Sequence, residues 1–248
     1  MTEPLAASAP AKPASLWEDF VDILYAPAKV FERRRGRGFG APLFILALLI
    51  GIVSAATLSL TRPILDRQVE VQEQAMRRNG MNDEQVAAAR SLNERIMPFV
   101  ATGGQAVGIL IAVPIMALVL WGVGALFGAR FGYAGAGLIT TYSTVPALLM
   151  LLVGAGLLAV LDASTLPPLQ QMTVGPVLLL GPDASPVTTA LVTRVGVAEL
   201  WGAVILGVGA RVLGGVSRNA AIGIAVLNWV LGTAFAALLA LRTAAAMQ

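Results

Sequence analysis

Two ionisable residues stand where charge is expensive. Arg194 and Glu199 lie inside the apolar run 188–213. A charged side chain at a helix centre costs roughly 2.5–3.5 kcal/mol on insertion scales. Neither residue is expected to face lipid unpaired. On one continuous helix, residues five apart point about 140° from each other. A tight pair between the two is therefore not expected, and each should find a partner on a neighbouring helix. Depth matching supplies candidates. Gln105 enters its run to a depth similar to Arg194. Tyr142, within the polar cluster Thr140 to Thr144, and Asn228 lie near Glu199 or slightly inward of it. Together they define a candidate intramembrane polar seam, Gln105–Arg194 above and Glu199–Tyr142–Asn228 below. A seam of this kind fixes the register of packed helices. Alternatively it lines a path or site for an ion, a proton or a lipid headgroup.

Composition removes most other chemistry. The chain has no Cys and no His. That excludes disulfides, thiolate catalysis, Cys/His metal sites and the commonest acid–base group. No Ser–His, paired-acid or zincin pattern is present. No catalytic residue, metal ligand or cofactor is assigned, and the chain is not expected to be an enzyme. The sequence pI of about 9.8 does not point to nucleic acid. The formal net charge is only +3, and the cluster Arg33, Arg34, Arg35 and Arg37 directly precedes an apolar run. Juxtamembrane arginines set topology and meet anionic headgroups, so these four form a membrane-surface basic cluster.

The elements that must hold these residues are membrane helices. The chain is 57% hydrophobic and 12% charged. Apolar runs fall at 41–61, 99–129, 133–161, 188–213 and 219–242. Each is long enough, at ~1.5 Å per residue, to cross a ~30 Å hydrocarbon layer. The fold class is all-α, a polytopic membrane protein with five transmembrane helices making up a membrane domain over 41–248. Pro114 and Pro146 predict kinks or local unwinding in the second and third spans. Gly124-x-x-x-Gly128, followed by Gly132, Gly135 and Gly137, allows close helix packing.

The intervening segments divide by composition. Residues 1–14 read as a disordered tail. Residues 15–40 read as an amphipathic interfacial segment opened by a capping box, Ser15-x-x-Glu18. Leu16, Trp17, Phe20, Val21 and Leu24 fall on one face, with Glu18, Asp19 and Asp22 on another; Pro27 breaks the helix. This segment is expected to lie on the membrane surface. The same face also suits docking of a partner helix. Residues 62–98 carry six Arg and six Asp/Glu. They read as an extramembrane helical hairpin turning at Asn79-Gly80, with Asn82-x-x-Gln85 as a second cap. A solvated spacer is the favoured reading, a partner-binding head the alternative. The connection 162–187 holds five prolines and the short apolar stretch Val177 to Leu180. That stretch is too short to span, and is expected to fold back on the bundle or dip into the interface.

Orientation follows from the basic residues. Lys29 and the four arginines of the basic cluster flank the first run, and 162–187 has no Lys or Arg. The N-terminus is therefore expected to be cytoplasmic, with the C-terminus outside after five spans. The first 40 residues show no apolar core with a cleavage site, so the first run would act as an uncleaved anchor.

Three stretches carry a family likeness. Phe127 to Pro146 places a glycine after the second run, a short polar loop, and Tyr142 four residues before Pro146. Trp17-Glu-Asp-Phe20 leads through Ala26-Pro27-Ala-Lys-Val-Phe31. Glu199-Leu-Trp201 leads through Arg211 to Ser217-Arg218-Asn-Ala220-Ala221. In these features the chain resembles the Yip family of multi-span membrane proteins, over roughly 15–245, and most closely its bacterial branch. The resemblance implies a five-span architecture. Eukaryotic relatives act in vesicle trafficking and bind prenylated small GTPases. This chain lacks their long cytoplasmic N-terminal region and carries a hairpin insert, so a GTPase role is not carried over. The function expected is that of a scaffold or accessory subunit in a bacterial cytoplasmic (inner) membrane. It would organise lipid or a membrane partner complex, with membrane lipids as partners and self-association as a further one. The alternative is a small transporter or channel-like protein using the polar seam.

Overall fold

The computed structural model describes residues 15–160, 175–181 and 184–246. The expected tail, 1–14, and much of the Pro-rich connection lie outside the described residues. Among the described residues the protein is all-helical. Four stretches are long and apolar enough to cross a membrane: Gln105–Leu126, Tyr133–Gly156, Val197–Gly214 and Arg218–Arg242. A fifth apolar helix, Gly40–Ala56, is shorter.

Two short helices come first, α1 (Leu16–Asp22) and α2 (Pro27–Arg33). The capping box at Ser15 and Glu18 forms in both directions. Pro27 opens α2 at its first turn, where its missing N–H is not needed. The expectation for their apolar face requires correction. It does not simply rest on a membrane surface. Phe20, Ile23, Val30 and Phe31 are buried in the same core as Leu46, Leu120, Ile139, Tyr142 and Ile205. Trp17 and Val21 on the opposite side of α1, and Tyr25 in the turn that follows it, stay exposed.

The first apolar run breaks at Thr57, giving α3 (Gly40–Ala56) and α4 (Leu58–Arg78). α5 (Asp83–Phe99) completes the hairpin. Gly80 takes a left-handed φ of 83° at the turn, a conformation that suits glycine. The Asn82–Gln85 cap forms reciprocally, at 2.8 and 3.1 Å. Arg90 bridges the two hairpin helices through Glu73 at 3.6 Å and also meets Glu94 at 3.0 Å.

The second run opens with a π-helical turn, Val100–Gly104, before α6 (Gln105–Leu126). Pro114 lies within α6, which stays helical around it, so the expected unwinding does not occur there. The third run does break, at Thr144 just before Pro146, giving α7 (Tyr133–Ser143) and α8 (Val145–Val160). The fourth run is not one helix either. It divides into α9 (Pro186–Thr193) and α10 (Val197–Gly214), with Arg194 at the α9 C-cap. Gly215, in the left-handed region, turns the chain into α11 (Arg218–Ala246). In the Pro-rich connection, Val177 is fully buried in a short 3-10 turn, and Leu179 is exposed.

Glycines set the helix spacing at two points. A Cβ on Gly202 would lie 2.6 Å from the Ser143 carbonyl oxygen, so α10 approaches the end of α7 backbone to backbone. Farther along α10, a Cβ on Gly209 would meet Ile139 and Phe31 at 2.8 Å. That space is where α2 enters.

Candidate functional site

The structure places the polar residues in three groups rather than one seam. The largest is one that the periodicity reading missed. Asp19 is fully buried. Its Oδ1 accepts from Arg33 Nε at 2.6 Å, and Oδ2 accepts from Arg34 Nε and from the Tyr142 hydroxyl, the latter at 2.9 Å. Arg33 extends to Asp22 at 2.6 Å. Phe20 and Phe31 close over Tyr142, with ring centroids 5.9 and 6.1 Å away. A buried carboxylate is tolerated only when paired and hydrogen-bonded, and here two guanidiniums and a phenol do that. Tyr142 is nine residues into α7, about 13 Å along its axis. The cluster thus fastens α1 and α2 into the side of the bundle. The signal was in the sequence: Leu16, Asp19, Phe20 and Ile23 follow the i, i+3, i+4, i+7 spacing of a single helical face. Asp19 belongs to the buried face, not the polar one.

At the exposed margin of this cluster, the Tyr25 hydroxyl and then Arg33 hold the Asp22 carboxyl below its ordinary value. The same bond raises the Tyr25 phenol. The other arginines of the basic group behave differently. Arg35 donates to the Val212 carbonyl at 2.6 Å and so reaches the end of α10, while Arg37 is exposed. The basic group therefore splits: Arg33 and Arg34 serve the buried aspartate, and Arg35 and Arg37 face outward.

The second group contains Arg194 and Glu199, and here the expectation is corrected. The two form an ion pair at 2.6 Å. The reason is the break at 194–196, since the 140° argument holds only for an unbroken helix. Arg194 also reaches Thr233 at 3.4 Å, and its carbonyl accepts from Trp229 Nε1 at 3.0 Å. The pair lines a cavity of ≈ 230 Å³ with Thr140, Ser143, Thr144 and Asn228. The buried Asn228 Oδ1 has no hydrogen-bond partner among the described residues. Tyr142 does not join this group; it is committed to Asp19.

The third group is small. Ser54 donates to Gln105 Oε1 at 3.2 Å, tying α3 to the start of α6. No bond between Gln105 and Arg194 forms. Among the described residues, no group of three or more Asp or Glu side chains is arranged to hold a metal ion.

A family model described as the Yip1 domain matches residues 21–239. The chain belongs to the Yip1 family. No curated protein and no solved structure matches it. The Yip1 match takes in Arg33, Arg34, Tyr142, Arg194, Glu199 and Asn228 and begins two residues after Asp19. With four apolar helices of spanning length, this Yip1-domain protein is an integral membrane protein.

Proposed function

We propose that this Yip1-domain protein is a non-catalytic scaffold or accessory subunit of a bacterial cytoplasmic membrane, organising lipid or a membrane partner complex. In this reading α3 is a fifth, short span, the N-terminus is cytoplasmic and the C-terminus lies outside. The stripe Trp17, Val21 and Tyr25 meets the membrane interface, where Trp and Tyr are favoured. One observation carries the reading: the polar side chains do not connect. Tyr142 is held by Asp19 and Glu199 by Arg194, so a continuous polar path through the bundle is missing among the described residues. A conduction path needs linked polar groups or water-filled space across the hydrocarbon. Reconstitution into vesicles with ion- and proton-sensitive dyes, beside native mass spectrometry of the purified protein, tests it. The scaffold reading expects no flux above empty vesicles, and retained lipid or protein partners. Flux together with a bare monomer overturns it.

A second reading has its own observation. The ≈ 230 Å³ cavity beside Arg194, Glu199 and the unpartnered Asn228 oxygen suits a small polar ligand, as a transporter would need. Flux that Glu199→Gln abolishes would favour it.

A further inference from the structure

The side of α10 and α11 away from the core carries a long apolar groove of ≈ 770 Å³. Val204, Val208, Ile222 and Val226 line it, with Ala221 and Ala225 among the small residues between them. Gly207 faces Ala225 where the two helices meet: a Cβ there would stand 3.4 Å away, at ordinary van der Waals distance. The groove has two different ends. Arg211 and Arg218 stand at one, and Leu200 and Trp229 at the other. The two helices are antiparallel across the Gly215 turn, so both arginines sit at the same end. From Arg211 to Leu200, and from Arg218 to Trp229, is eleven residues, about 16 Å of helix. One leaflet of a ~30 Å hydrocarbon core is about 15 Å deep. The groove therefore runs from one membrane surface to about mid-membrane.

Charge decides the occupant. Among the described residues neither Arg211 nor Arg218 has a carboxylate within ion-pairing distance, whereas Arg33, Arg90 and Arg194 do. Arg35 adds a third guanidinium nearby, through its bond to the Val212 carbonyl. Cationic side chains at a membrane surface over an apolar slot match one class of molecule. We propose that an anionic phospholipid occupies this groove, with its phosphate on Arg211 and Arg218 and an acyl chain lying between α10 and α11 down to Trp229. This deepens the scaffold reading by naming the lipid class and its seat. A second copy packed through the same face would bring its own Arg211 and Arg218, and the groove lining holds no carboxylate to meet them.

The test uses the full-length protein in nanodiscs of phosphatidylcholine, with and without phosphatidylglycerol, followed by native mass spectrometry. Wild type is expected to retain phosphatidylglycerol over phosphatidylcholine. Arg211→Gln with Arg218→Gln is expected to weaken that preference by about 30-fold, from ~1 kcal/mol per basic residue at the surface. Arg211→Lys with Arg218→Lys is expected to keep most of it. Val204→Trp with Val226→Trp, at exposed positions, crowds the groove and leaves the arginines in place. It should release the lipid. Unchanged retention in that variant, an equal preference for the two lipids in wild type, or a second protein chain in place of lipid each overturns the proposal. Failure of the scaffold reading looks different: it appears as solute flux, whichever lipid is bound.

Discussion

The two ionic clusters of this bundle, one fully buried and one partly exposed, solve the same problem in different ways. Asp19 is fully buried and every visible bond around it is a strong one: two guanidiniums, a phenol, and aromatic rings above. Glu199 has one guanidinium and remains about a third exposed, on a cavity that also holds an unpartnered amide oxygen. A fully buried carboxylate held by three donors acts as a fastener. An unsaturated one can lose a partner more cheaply, and has room to gain one. The contrast also separates the segments involved. The first cluster joins residues more than 100 positions apart, whereas the second pair spans a single helix break.

Breaking the first cluster should have the largest effect. Asp19→Asn leaves two guanidiniums and the Tyr142 hydroxyl without their carboxylate. The expected loss is about 3 kcal/mol, at the low end for a broken buried pair because Arg33 is part-exposed. Thermal unfolding in detergent would read it, and a loss as small as that of Glu199→Gln would erase the contrast. Next comes Gly202→Ala, on the cavity wall of the second cluster. The new Cβ meets a backbone carbonyl that cannot swing aside, so about 2 kcal/mol of overpacking is expected. The same unfolding assay should show it, with α1 and α2 still protected from proteolysis. Smaller again is Glu199→Gln, at about 1 kcal/mol, since the pair is partly exposed and Gln still accepts from Arg194. Loss of fold in this variant would mean the second cluster is a fastener too. The smallest effect concerns acid. Asp22 has its folded-state carboxyl held below the ordinary 3.8. Its contribution is therefore present above that value and lost as pH falls through the lower folded value. Stability scans below about pH 4 should show a dependence that Asp22→Asn reduces.

How much of this was legible in the sequence depended on whether local rules decided the outcome. Membrane class, the all-helical fold and the capping boxes follow from runs and caps, and the described residues show them. Of the kinks or unwinding expected at Pro114 and Pro146, a helix break is found only beside Pro146. The rest was decided between elements. On an unbroken helix Arg194 and Glu199 would point apart, yet the chain turns at 194–196, where a glycine sits and proline does not announce the break. The charge of Asp19 points to the polar face, though its spacing puts it with Leu16, Phe20 and Ile23. Only the tertiary supply of Arg33, Arg34 and Tyr142 makes that position tolerable. Tyr142 is fully buried, with Asp19 as its partner and not Glu199; depth matching considers only the spans and so leaves out the N-terminal helices that hold that partner.

The central claim is that α1 and α2 belong to the bundle because Asp19 fastens them there. Hydrogen–deuterium exchange of residues 16–33 in wild type and Asp19→Asn, in the same detergent, tests it most directly. The prediction is protection in wild type comparable to α7 and α10, falling in the variant toward the level of the hairpin α4–α5. Hairpin-like exchange already in wild type, or unchanged protection in the variant, would contradict it.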